Sequence, residues 1–173
     1  MMLLLNFDGV LHPNAVRFTR TNMPVLDAPG HYLFESNTAL ANVATEFANL
    51  RIVLNTWWTY KVDIDMCLRR LPKVLSLRVV GSVLPHASSC PTLPHRISLA
   101  NDTADASMIP ILILDHADAR YPKHLRPITF LLNPQVGLAD PQAVLALRRF
   151  ISRAAKKTQS ETRKSSGANR EIG

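Results

Sequence analysis

Two cysteines in 173 residues, Cys67 and Cys90, are too few and too far apart for a disulfide framework or a thiolate metal site. They are expected to be two reduced thiols. The six histidines are scattered, with no pair at a helical metal-binding spacing. Long apolar runs are missing too. Nothing approaches the roughly 20 residues of a membrane span, which excludes a helical membrane anchor within this sequence. The opening Met1-Met2-Leu3-Leu4-Leu5 has no basic residue ahead of it, and Asn6 and Asp8 interrupt it. A secretory leader, with its apolar stretch of roughly 7–15 residues, is therefore not expected. The run is expected to be a buried strand of a cytoplasmic protein.

What is present is a chain with 47% apolar residues and a formal charge of +7, long enough for one domain with a real core. The charge is uneven. Residues 153–173 hold Arg153, Lys156, Lys157, Arg163, Lys164 and Arg170 against Glu161 and Glu171. This basic tail would either meet nucleic acid or another polyanion, or simply aid solubility. After about Lys157 the composition turns polar and aperiodic, which predicts disorder. The division expected is a domain over residues 1–152 and a basic, disordered tail over 153–173.

Continuous apolar runs predict buried strands at residues 2–7, 51–55, 75–80, 109–114 and 127–132. Between them lie helical stripes. Leu40, Val43, Ala44, Phe47 and Ala48 follow Ser36 as a cap, and Tyr60, Ile64, Cys67, Leu68 and Leu71 run up to Pro72. A short helix is expected near residues 95–100. Another starts at Asp140-Pro141, with Val144, Leu147 and Ile151 on its apolar face. Residues 12–35 and 82–94, interrupted by prolines, are expected to be irregular. Strands alternating with helices imply a Rossmann-like α/β three-layer sandwich around a mostly parallel sheet of about five strands. Sites in such folds lie beyond the carboxyl ends of the strands.

That rule selects three segments: Asn6-Phe7-Asp8-Gly9-Val10-Leu11-His12-Pro13, Asn55-Thr56-Trp57-Trp58, and Asp115-His116-Ala117-Asp118. Arg96 precedes the fourth strand. Carboxylates, a hydroxyl and a cation at one sheet edge suit phosphoryl transfer, because Mg²⁺ prefers oxygen ligands and hydroxyl and guanidinium groups hold phosphate oxygens. Trp57 and Trp58 would be either a base-stacking platform or core.

These residues resemble the haloacid dehalogenase (HAD) superfamily, whose first motif is an apolar strand followed by Asp-x-Asp-Gly-Val/Thr-Leu. Gly9-Val10-Leu11-His12-Pro13 is similar, more narrowly, to the HAD-like domain of Swiss Army Knife RNA repair proteins. Asn55-Thr56-Trp57-Trp58 stands where that branch has Ser-Ser-Trp-Arg, Leu114-Asp115-His116 where it has Leu-Asp-Asp, and Gly137-Leu138-Ala139 where it has Gly-Leu-Thr. The resemblance implies that Asn6 occupies the place of the phosphorylated, Mg²⁺-binding nucleophile. It makes Asp8 the general acid and base, with its backbone carbonyl a metal ligand, Thr56 the phosphate-holding hydroxyl, Arg96 the basic residue and Asp115 the acidic metal ligand. His116 replaces a second acid, for which Asp118 would compensate. An Asn amide is not a useful nucleophile, imidazole is a poor Mg²⁺ ligand, and Trp58 removes a phosphate-binding cation.

Neither residues 12–35 nor the segment between the third and fourth expected strands, about residues 82–108, has room for a cap domain, so an open site is expected. Three functions follow. One is a degenerate phosphohydrolase fold that binds phosphate-bearing ligands with a weakened Mg²⁺ site. Another is an active Mg²⁺-dependent phosphatase on nucleotides or nucleic-acid ends. The last is a nucleic-acid-binding accessory protein using the basic tail.

Overall fold

The structure, a computed structural model, describes residues 1–84 and 92–168, with side chains as far as Lys157. Five parallel strands form the central sheet: β1 (Met2–Leu5), β4 (Arg51–Leu54), β5 (Val79–Ser82), β6 (Ile111–His116) and β7 (Thr129–Leu132). Their spatial order is β5-β4-β1-β6-β7. The chain first moves to one side of β1, then returns from β5 to lay β6 on the other side. This reversal opens a crevice at the carboxyl ends of β1 and β6.

The continuous apolar strands arise because both faces of the sheet are covered. Leu3, Leu5, Ile52, Leu54, Leu112 and Leu114 pack on one face with α1 (Asn37–Thr45), α3 (Ile64–Arg70) and α6 (Pro141–Ala168). Leu4, Val53, Ile111 and Ile113 pack on the other with α5 (Leu93–Asp105) and with Ala119, Tyr121 and Leu125. The Rossmann-like three-layer arrangement is the expected one. Leu147 and Ile151 of α6, both fully buried, seat that helix.

Several boundaries differ from expectation. The expected third strand begins too early: Pro72 starts a short helix, α4 (Lys73–Ser76), which buries Leu75 and delays β5 to Val79. A run of apolar letters does not distinguish a one-turn helix from a strand. Pro110 precedes β6, which starts at Ile111, and Asp115 and His116 are its last two residues rather than following it. Lys123–Ile128 is a 3-10 segment, so β7 is only four residues long. The stripe over residues 60–71 is two helices, α2 (Trp58–Lys61) and α3, with Asp63 capping the second through Met66 N. Residues 12–35 are not wholly irregular, since β2 (Val16–Phe18) and β3 (Pro24–Leu26) form a small hairpin. Ser36 precedes α1 but makes no side-chain cap bond. The predicted helix near residue 95 runs longer, from Leu93 to Asp105.

Beyond Lys157, where the composition turns polar, α6 continues to Ala168. No proline interrupts it, and Gln, Glu, Lys and Arg are good helix formers. Once the packed part of α6 is formed, extending it needs no new nucleus. Residues 169–173 lie outside the described residues, as do Cys90 and part of the expected 82–94 loop.

Candidate functional site

Pairing continues one residue beyond β1: Asn6 N donates to Leu114 O at 3.1 Å, and Asn55 N donates to Leu5 O at 2.8 Å. This brings Asn6, Asn55 and Asp115 to one level of the sheet edge. The chain then turns back, with Val10 N and Leu11 N both donating to Phe7 O. Gly9 has φ +70, and a Cβ there would meet His116 Cβ at 2.6 Å, so glycine is required.

Asp8 Oδ1 accepts two hydrogen bonds, from Trp58 Nε1 at 2.9 Å and His12 Nε2 at 3.0 Å. The His12 tautomer follows from its other nitrogen. Phe34 N–H donates to Nδ1 at 3.2 Å, so Nδ1 is unprotonated and Nε2 carries the hydrogen. Phe34 adopts φ +64 to reach it, a strained conformation for a bulky residue. Phe7, Phe18, Phe34, His12 and Trp58 meet with ring centroids 5.0 to 5.9 Å apart. They wall Asp8 with neutral rings.

Asp115 has a different environment. Its Oδ2 accepts from Arg96 Nη1 at 2.6 Å and Tyr121 Oη at 2.8 Å. Its Oδ1 accepts from Asn6 Nδ2 at 2.9 Å and from His116 N at 2.8 Å. Arg96 Nη1 also donates to Asn55 O, and Tyr121 Oη accepts from Asn55 Nδ2, both at 2.9 Å. Arg96 sits in the first turn of α5, whose start Thr92 caps through His95 N. Burial alone would lower the Arg96 pKa, but the Asp115 carboxylate opposes it and the net shift is upward. Burial, then the Asp115 charge, push the Tyr121 phenol up, so it remains a proton donor.

The second hydrogen bond of Asn6 Nδ2 goes to the backbone oxygen of Asp8 at 2.8 Å. Both partners are acceptors only, so the amide must point its nitrogen at them. Among the described residues, Asn6 Oδ1 is left buried without a partner, as are Arg96 Nε and Nη2.

Of the residues singled out in the sequence, Asn6, Asp8, Arg96 and Asp115 come together. Thr56 is fully buried at the end of β4, but its bonds go to α2: Oγ1 accepts from Trp58 N at 3.4 Å, and O accepts from Thr59 Oγ1 at 3.0 Å. Asp118 stands apart. Its side chain is 63% exposed, 3.5 Å from His116 Nδ1 and 3.4 Å from Asn14 Nδ2, and it lines a separate cleft beside α5. Trp58 is core, and Trp57 packs against the opposite face of the sheet, so the two indoles form no shared platform. The expected open site is nearly closed. Asn6, Asp8, Thr56, Arg96, Asp115 and His116 are each 8% exposed or less.

His12, Asn55 and Tyr121 belong to the site but carried no role in the sequence reading. The first two lie inside the selected segments, where Asp8–His12 spacing was the available signal. Tyr121 had no signal beyond lying six residues after Asp115.

The residues do not fit Mg²⁺. Both oxygens of Asp115 are taken by four donors, one of them a guanidinium, and Asn6 turns N–H rather than oxygen toward the shared acceptors. Among the described residues, no three His, Cys, Asp or Glu side chains are grouped to hold a metal ion. Among them too, no helix is long and apolar enough to cross a membrane.

The family model for the HAD domain in Swiss Army Knife RNA repair proteins matches residues 2–143. No curated protein and no solved structure matches the chain.

Proposed function

The chain belongs to that HAD family, and from this premise we propose that it is a phosphohydrolase fold turned to binding, inactive or weak as a phosphatase. The observation that carries the reading is Asn6, whose amide nitrogen is committed to Asp8 O and Asp115 Oδ1. A nucleophile at this place would need a free carboxylate oxygen facing the phosphorus. The amide lone pair is delocalised, and both N–H groups are already used. Hydrolysis by this route then lacks its first step.

The ligand proposed is a phosphate-bearing molecule, a nucleotide or an RNA end. RNA repair is the setting named in the family's description. Arg96 supports an anion: its Nε and Nη2 are buried donors without partners among the described residues, and phosphate oxygens would satisfy them. Asp8, the more exposed of the two carboxylates, marks the side of entry.

The test is turnover of an aryl phosphate, nucleotides and phosphate-ended RNA by wild type and Asn6→Asp, with and without Mg²⁺. The wild type is expected to show no saturable, metal-dependent turnover while still binding phosphate-ended RNA. Wild-type turnover that disappears in Asp8→Ala would instead establish an active phosphatase.

A further inference from the structure

We propose that the Asn6 amide replaces the cation of this fold, so that the wild-type chain folds without a divalent metal and gains nothing from one. Asn6 Nδ2 lies 2.8 Å from Asp8 O and 2.9 Å from Asp115 Oδ1, joining the first loop to the end of β6. Both are oxygens with lone pairs turned inward at a buried place. A divalent cation would satisfy such a pair, and so does an amide carrying two N–H bonds. The charge balance agrees. Asp115, fully buried, is neutralised by Arg96 at 2.6 Å, so the pocket already holds one positive charge for this carboxylate. A divalent ion arriving there would face the guanidinium, bound to Oδ2, across the same carboxylate and would have to displace Asn6 Nδ2 from both of its acceptors.

The reverse substitution follows from the same geometry. Asn6→Asp removes both N–H donors and turns a carboxylate toward Asp115 Oδ1 and Asp8 O. Like charges then face each other in a buried site, which is costly unless a cation joins them. Metal dependence is therefore expected to return with a single atom change, from nitrogen to oxygen. This holds whether or not the wild type binds phosphate, because the readout is stability and not ligand binding.

The experiment is thermal unfolding of wild type and Asn6→Asp, each in EDTA and in millimolar Mg²⁺. The wild-type midpoint should be the same in both. The midpoint of Asn6→Asp should fall by roughly 10 °C in EDTA and recover most of that in Mg²⁺. A wild type stabilised by Mg²⁺ overturns the proposal, and so does a folded Asn6→Asp indifferent to Mg²⁺. If Asn6→Asp does not fold in EDTA, refolding it from urea reads the same question, and recovery only with Mg²⁺ supports the proposal. If it folds in neither, titration of wild type with Mn²⁺, followed by paramagnetic broadening, decides: binding overturns the proposal and no binding supports it.

Discussion

Asp8 and Asp115 stand at neighbouring points of one sheet edge, yet the fold treats them oppositely. Asp115 is fully buried, and all four of its hydrogen bonds are spent, one on a cation. Among the described residues, no cation is bonded to Asp8. Two neutral ring N–H groups hold Oδ1 alone, and its side chain keeps 11% of its exposure. The first carboxylate is a structural anchor, and the second is aimed by its neighbours with one oxygen left over. The difference teaches that a shared motif position does not imply a shared task. Saturation of the oxygens separates the tasks.

The largest effect expected is on the Asp115 side. Arg96→Met leaves a buried carboxylate without its counter-charge and should cost about 3–5 kcal/mol in urea unfolding. A cost below about 1 kcal/mol would mean that the cation is not what sustains this carboxylate. Trp58→Phe removes one of the two donors to Asp8 along with some packing, and should cost about 2 kcal/mol. If it equals Arg96→Met, the contrast between the two carboxylates fails.

Tyr121→Phe sharpens the comparison within the Asp115 network and should cost about 1 kcal/mol at neutral pH. Its pH dependence has a definite sign. The folded state holds the phenol proton above the ordinary value of 10.0, where the unfolded chain releases it. The folded state then binds more protons, so stability falls as pH rises past 10.0. The gap between wild type and Tyr121→Phe should narrow there, and a constant gap would contradict the burial of the hydroxyl.

The smallest effect is expected at Cys67, a buried thiol on α3. Burial, then Asp63, push its thiol from 9.0 up to about 12. In a Cys90→Ser background, native protein should resist alkylation at neutral pH and react only on unfolding. Rapid native labelling would show that this face of the core opens independently of the site.

The legibility of the site followed its distance from the strands. Asn6, Asp8 and Asp115 were visible because a parallel sheet exposes whatever its strand ends carry. Arg96 was visible because it begins the helix leading into β6. Tyr121 was not, since its approach depends on residues 117–121 turning back over the edge, and no periodicity encodes that turn. The same limit hid the β2–β3 hairpin in the proline-rich stretch and mistook Leu75 for a strand residue. Whether the residues implied as metal ligands keep donor atoms to spare was not legible for another reason. Residue type gives the donors available, but only geometry shows that Arg96 and Tyr121 already use Asp115.

One contact has a consequence for synthesis on the ribosome. Leu138 N donates to Val10 O at 2.9 Å, and Gly137, at φ +57, lies so close that a Cβ would meet that oxygen at 2.5 Å. Residue 10 is translated long before residue 138, and β1, in the middle of the sheet, acquires β6 only after residue 111 emerges. A nascent chain halted between these points therefore carries the first loop without its clamp. Given elongation at about 5–20 residues per second, the loop bearing Asp8 waits several seconds for its partner. Arrested chains of graded length should show protease protection of this loop only once Gly137 and Leu138 have cleared the exit tunnel.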